Sequence, residues 1–468
     1  MCLCFTGTDD IMRTRGDEVI NAEFSFVDFG DRRLNQRLVQ VGIDFVDAPG
    51  ASIPKLCGDW AKAKAAYRFF NNPNVTREQI LQSHRERANQ RIDVLDEVLF
   101  ISDTTFFTFP HHPSKSGLGD VGDSDTDVEG VLVHSTIAVS PRSGMMKGVY
   151  DQQVIIRQQE GETFFWRGDG EHEAVENEGR KWEKGVEAGL ERVPSGVRPR
   201  FVFDRGGDSY DVLSRIKGGE AGFVIRSNQN RVMRSPEGER SRLHEWIRGK
   251  QNIGEMERQI YREGKGKVDV DFEVQAGKCE VLAPHPRREK MEDEGAVGVN
   301  VVRVVEKEGG EEPIEWILMT DRDLQGMEDA REVIDLYEHR WKIEEWHECL
   351  KQRGADFEKR QLEEWERMDR LLGVISVVSW RLLGLRDLAR EKEDRDAQEC
   401  LTEAEMRVIE HMDEEVEEGD TAEEYLLGVA RIGGYMDRSN DPPPGWQILW
   451  RGFSDVQKMA KGYRMAQQ

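Results

Sequence analysis

A chain of 468 residues, 37% of them hydrophobic, has material for two to four domains at roughly 100 to 200 residues each, and is too long to be a small stapled scaffold. A formal charge of −25, from 91 acidic against 66 basic residues, argues against a protein that coats nucleic acid through overall basicity, because phosphate binding relies on Lys and Arg displacing counterions. Six dispersed cysteines, of which only Cys2 and Cys4 are close together, exclude a disulfide framework and a paired zinc site; with no apolar run of roughly 18 residues and no signal pattern at the N-terminus, a soluble cytoplasmic protein without a membrane partner is expected.

The first 80 residues read as compact helices, with amphipathic stretches in DRRLNQRLVQVGIDFV and WAKAKAAYRFF, the second ending at NNPN. Thr76 opens a further helix through a capping box with Gln79. The apolar run Val98–Ile101 predicts a strand that stops at Asp103, and further strands are expected over 131–139 and 148–156. A helix is expected from about Glu173 to Glu191, then a strand RFVF running into Asp204, the helix DSYDVLSRIK and the strand GFVIRS. Strands near 268–283, 297–306 and 313–319 suggest an inserted β-rich subdomain. YEHRWKIEEWHECLK reads as one helix, LLGVISVVSWRLLGL as a buried core helix, and the chain beyond about 386 as acidic and helical, notably DEEVEEGD.

Three tempting signals fail on context. GLGDVG at 117–122 satisfies GxGxxG without a strand entering or a helix leaving it. DSDTDVEG begins like a calcium loop, but Val128 stands where glycine must turn the chain and His134 where a bidentate glutamate belongs. His111 and His112 lack a second ligand pair.

Two features remain. On a continuous helix Tyr337, Arg340, Glu344 and Lys351 fall on one narrow stripe, opposite Ile343, Trp346 and Leu350, so a carboxylate flanked by cations and a phenol would face outward. A solvated charged face is the alternative reading. Asp103 and Asp204 each follow an apolar strand, and on neighbouring parallel strands their carboxylates would converge at the C-terminal edge, with Glu344 completing the set from a packed helix. Three hard oxygen donors suit Mg²⁺, and two such ions suit phosphodiester chemistry. Locally the charge reverses: from Arg226 to Lys250 seven basic residues stand against three acids.

These residues resemble the DDE transposases of bacterial insertion sequences, specifically the insertion-sequence-four family that includes the Tn-five type. FGDRRLNQRL and AYRFFNNPNV are similar to its N-terminal domain, ISDTT and VHSTIAV to its first strands, and FVIRS, EWILMT and RIGGYMDR to later segments. Tyr337, Arg340, Glu344 and Lys351 meet its Y-x2-R-x3-E-x6-K signature, while DRGGD departs from its DREAD-like segment at Gly206 and Gly207. The resemblance implies an α/β, ribonuclease-H-like mixed sheet flanked by helices. It implies an N-terminal helical domain binding transposon ends (1–78), a catalytic domain (79–385) with a β-rich insertion at about 228–312, and a C-terminal helical dimerisation domain (386–468). It further implies Asp103, Asp204 and Glu344 as ligands of two Mg²⁺ ions, with Mn²⁺ substituting. Tyr337, Arg340, Lys351, Trp316 and Arg226 would be DNA contacts, Trp316 receiving a flipped base. The partners would be duplex DNA, as transposon ends and target, and a second copy of the chain in a homodimer. A metal-dependent nuclease without strand transfer and an inactive end-binding copy are the alternatives.

Arginine dominates the basic residues and the acidic excess is spread along most of the chain, a surface suited to a salt-rich, halophilic cytoplasm where screening acts within a few Å. Folding should therefore strengthen with salt. The melting temperature is expected to rise between about 0.1 M and 2 M KCl, whereas a flat or falling curve would refute that reading of the charge.

Overall fold

The computed structural model describes residues 16–47, 50–110, 114–121, 128–158, 163–166, 172–174, 177–262, 266–308, 313–351, 355–388, 397, 401–438, 441 and 444–466. Helices α1 (Gly16–Glu23), α2 (Arg32–Asp47), α3 (Ile53–Cys57) and α4 (Trp60–Phe70) open it. α2 buries Leu38, Val41 and Phe45 at helical spacing. α5 (Arg77–Ile92) starts at the predicted capping box: the Thr76 hydroxyl accepts from the Gln79 amide, and the Gln79 side chain accepts from the Thr76 amide.

The sheet follows: β1 (Glu97–Thr108), β2 (Gly119–Asp120), β3 (Glu129–Val139), β4 (Met146–Arg157), β5 (Thr163–Trp166) and β6 (His172–Ala174). α6 (Arg180–Arg192), β7 (Arg198–Phe203), α7 (Tyr210–Gly218) and β8 (Gly222–Arg226) come next. β9 (Val232–Arg234), β10 (Arg240–Arg242), α8 (Leu243–Arg248), β11 (Asn252–Arg262), β12 (Gly266–Val281), β13 (Val297–Glu306) and β14 (Glu315–Thr320) complete it. α9 (Met327–Glu338), α10 (Lys342–Lys351) and α11 (Trp365–Leu388) pack on it, and α12 (Glu403–Met412), α13 (Ala422–Ile432) and α14 (Trp446–Ala466) share a core of their own.

Among the described residues the strands form one mixed sheet in the order β10-β9-β12-β13-β14-β8-β7-β1-β3-β4-β5-β6, with β11 on β12 and β2 on β3. β1, β7 and β8 run parallel, and the other pairings are antiparallel. The strands expected as an inserted β-rich subdomain extend the same sheet, because β14 pairs directly with β8.

Three expected boundaries move. β1 does not stop at Asp103. Its β-branched and aromatic continuation, Thr104–Thr108, pairs with β3 as far as Thr108↔Gly130. α6 begins at Arg180 rather than near Glu173, after a turn in which Asn177 Oδ1 accepts from the Gly179 amide; residues 172–174 are strand. DEEVEEGD, at 413–420, is a non-helical connection between α12 and α13. GLGDVG contributes β2, whereas 122–127 and His111 and His112 lie outside the described residues.

Alternation sorts the sheet's faces. Leu99, Ile101, Val202 and Val224 join the core shared with α5, α10 and α11; Val98, Phe100, Phe201 and Phe203 join the one shared with α6 and α7. Among the described residues no helix is long and apolar enough to cross a membrane. α11 carries buried charge instead: Asp369 pairs with Arg77 at 2.6 Å.

α5 is tied to β4 through charged groups. Arg85 Nε donates to Tyr150 O at 2.7 Å, Arg91 Nε to Lys147 O at 2.6 Å, and Arg77 to Gln152 O. Glu23, fully buried on α1, holds Arg91 at 2.7 Å and His84 Nδ1 at 2.5 Å. His84 Nε2 accepts from the Val149 amide at 3.0 Å, so the ring is the Nδ1–H tautomer; burial keeps its pKa below the ordinary value. Burial opposes ionisation of Glu23, but Arg91 and His84 outweigh it and hold the carboxyl at about 2. A depressed carboxyl stabilises the fold above its unfolded value, roughly 4.3, and that contribution disappears as pH falls through the folded one. Glu23→Ala should cost about 3 to 5 kcal/mol by stranding the buried arginine. In denaturant melts, the difference between the wild type and Glu23→Gln should shrink as the pH is lowered from about 4.5 towards 2.

Candidate active site

Register brings the two aspartates together. The parallel ladder of β1 and β7 ends at Ile101↔Val202; Asp103 and Asp204 each follow two residues further on, near enough for the charge of Asp204 to act on Asp103. Asp103 lies within β1, past its last parallel partner and still paired with Ser135 of β3. The Thr104 amide donates to its Oδ1 at 2.7 Å. Asp204 caps a single 3-10 turn, Arg205–Gly207, its Oδ1 accepting from the Gly206 amide at 2.8 Å.

The third acid arrives from α10, but not on one continuous helix. α9 ends at Glu338, a 3-10 turn spans His339–Trp341, and α10 begins at Lys342. His339 pins the junction, its Nε2 lying 3.1 Å from Pro141 O. Across this change of winding Arg340 still pairs with Glu344 and acts on Tyr337, so these members of the predicted stripe stay together. Ile343, Trp346 and Leu350 are buried as expected, but Tyr337 is buried as well, only 4% exposed, and does not face outward.

Arg340 stands among the acids. Its guanidinium contacts Glu344 Oε1 and lies 3.6 Å from Asp103 Oδ2. Burial, and after it the charge of Asp204, push the Asp103 carboxyl up to about 6; Glu344 adds to this, while the Thr104 amide and Arg340 oppose it. Crowded hard-oxygen donors of one sign are chemistry that a divalent cation would relieve, so the donor set fits such an ion. Arg340 nevertheless pairs with two of the three acids, and among the described residues no three His, Cys, Asp or Glu side chains are gathered for a metal.

The expected DNA contacts are placed unequally. Trp316, partly buried on β14, meets Tyr337 edge-on, with ring centroids 5.2 Å apart. Arg226 hydrogen-bonds Tyr337 and donates to Glu315 O at 2.9 Å. Lys351 lies at the far end of α10, its Nζ 5.8 Å from the Phe107 ring centroid. Trp316, Tyr337 and Arg226 form one contact chain, with the charge of Arg340 acting on Tyr337; Lys351 stands apart from it.

Sequence reasoning missed three side chains. His134, weighed only as a defective calcium-loop position, is fully buried, with Nδ1 2.9 Å from Thr104 Oγ1. Trp182 packs on its ring at 4.7 Å. Lys181, half-buried at the start of α6, feels the charge of both Asp103 and Asp204. The available signal was polar His-Ser-Thr in the middle of an otherwise apolar strand.

Residues 17–75, which hold most of α1 and all of α2 to α4, match the family model described as transposase DNA-binding. The match supports a transposase, with DNA as partner of the N-terminal helices.

An aspartate whose folded pKa exceeds its unfolded one weakens the fold as it ionises. The cost is absent below about pH 4, grows through the interval up to about 6 and is complete above it. Without divalent ions, Asp103→Asn should therefore stabilise the protein at pH 7.5 by about 1 to 3 kcal/mol and leave it unchanged near pH 3.5, as read from denaturant midpoints.

Proposed function

We propose that this chain is a cut-and-paste DNA transposase of the insertion-sequence-four, Tn-five-like type, built on a ribonuclease-H-like core. The observation that carries the reading is that Asp103 and Asp204 each lie two residues beyond the last rung shared by adjacent parallel strands, with Glu344 joined to Asp103 through Arg340. The order β8-β7-β1-β3-β4, in which β3 alone runs opposite to the other four, supports that core. The match at 17–75 supports DNA binding by the N-terminal helices.

Asp103, Asp204 and Glu344 would hold two Mg²⁺ ions, or Mn²⁺ in their place, which when bound supply a more acidic water and charge stabilisation for the leaving oxygen. The protein's own part is to bind and orient. Arg340 turns from its carboxylate partners to a phosphate of the strand being cut, and Lys351 holds the backbone further along α10. Water attacks the phosphodiester at the element end, and the bond to the 3′ oxygen breaks with that oxygen taking a proton. The freed 3′ hydroxyl then attacks the phosphodiester of the opposite strand, displacing the 3′ oxygen of the flanking DNA, which takes a proton, and forming a hairpin. A second water opens the hairpin and restores the 3′ hydroxyl, which attacks a target phosphodiester and displaces a target 3′ hydroxyl. Bending the duplex so sharply favours extrusion of a base at a cost of a few kcal/mol, which stacking on Trp316 offsets by roughly 1 to 3 kcal/mol. Tyr337 and Arg226 steady that indole, and the C-terminal helices pair two copies across the synapsed ends.

A labelled duplex of the element end, incubated with Mg²⁺ or Mn²⁺, tests this. Alanine at Asp103, Asp204 or Glu344 should reduce nicking by roughly a thousandfold or more while end binding persists, and a chelator should stop it. Trp316→Ala should slow hairpin formation on a pre-nicked end more than it slows the first nick. Normal nicking by Glu344→Ala would refute the site. Cleavage without joining would leave a nuclease, and binding without cleavage an inactive copy.

A further inference from the structure

We propose that Trp182 is a positioning residue for Asp204, and that glycine at 206 is the complement its indole requires. This rests on reading Asp204 as a metal-binding carboxylate. α6 lies close against the sheet face opposite the carboxylates: a Cβ added at Gly185 would come within 3.0 Å of Thr136 Oγ1, and one at Gly189 within 2.8 Å of the Phe201 ring. Trp182 is one turn earlier on the same stripe and only 5% exposed. Its indole is boxed edge-on between Phe203 at 5.1 Å and His134 at 4.7 Å. Phe203 immediately precedes Asp204, and His134 bonds the hydroxyl of the residue after Asp103, so one side chain supports both carboxylate strands.

The far edge of that indole reaches the Asp204 turn. A Cβ at Gly206 would lie 2.8 Å from Trp182 Cζ2 and 3.1 Å from Asp204 Oδ1. The Gly206 amide is also the donor that orients this oxygen, at 2.8 Å. With the indole boxed in, a methyl group at 206 displaces the turn, and the hydrogen bond to Asp204 moves with it. Phenylalanine at 182 lacks the Cζ2 edge and frees that space. Gly206, a departure from the resembled family's pattern, is thereby a fit to its own neighbour.

The experiment compares wild type, Gly206→Ala, Trp182→Phe and the double variant. Mn²⁺ titration of the DNA-free protein is followed by electron paramagnetic resonance, beside thermal melts and nicking of a labelled end. Gly206→Ala should weaken Mn²⁺ binding roughly tenfold to a hundredfold, as loss of a group orienting a ligand does, and the double variant should recover most of it. Melting temperatures should be non-additive in the same sense. Wild-type-like Mn²⁺ binding by Gly206→Ala, or a double variant no better than it, would overturn the proposal while a nicking wild type kept the functional reading. A wild type that neither binds Mn²⁺ nor nicks would overturn both.

Discussion

The site depends on a register. Two parallel strands meet with Ile101 opposite Val202, and the pleat then sets Asp103 and Asp204 side by side on one face, just beyond the last shared rung. A slip of one residue would turn one carboxylate to the opposite face, among Phe100, Phe201 and Trp182. The apolar pattern prevents that slip. Leu99, Ile101 and Val202 belong to one core and Val98, Phe100, Phe201 and Phe203 to the other, so misregister would expose or clash along both faces at once.

Charge is organised around the same constraint. A carboxyl pushed up to about 6 by burial and by its neighbour is unfavourable to carry, and Arg340 offsets part of that by bridging Asp103 to Glu344. The guanidinium acts as an internal counterion to a cluster of like charges. Elsewhere arginine does structural work. Arg77, Arg85 and Arg91 end on main-chain carbonyls of β4, and Arg370 joins α11 to Val75 O at 2.7 Å and Phe70 O at 2.9 Å. Phe70 and Val75 belong to the stretch that matches a transposase DNA-binding family, so Arg370 ties that stretch to α11.

Legibility differed between elements for physical reasons. The Thr76–Gln79 box was readable because both partners lie within one turn of chain. α10 was readable on its apolar side, where Ile343, Trp346 and Leu350 recur at helical spacing. Its junction with α9 was not, since the 3-10 turn is held by Pro141, about two hundred residues away in sequence. Asp103 looked like a strand terminus because the apolar run ends there, whereas the ladder with β3 carries the strand onward. Glycine at 206 and 207 read as a departure from a pattern; only the packing of Trp182 gives Gly206 a reason.

What the sequence determined by itself was local and periodic: the caps, the alternation that sorts β1 and β7 between two cores, and the acids that follow their apolar runs. These follow from propensity and from the twofold and 3.6-fold repeats, which act over neighbouring residues. The tertiary structure decided which strands became neighbours, that the expected insertion would extend the same sheet, that Tyr337 would be buried, and that Arg340 would stand between Asp103 and Glu344. Those outcomes are contacts between segments tens to hundreds of residues apart. Their energies come from burial and from charge in a shared low-dielectric space; Arg340 and Glu344 lie within one helical turn, but Asp103, the third member, is more than two hundred residues away.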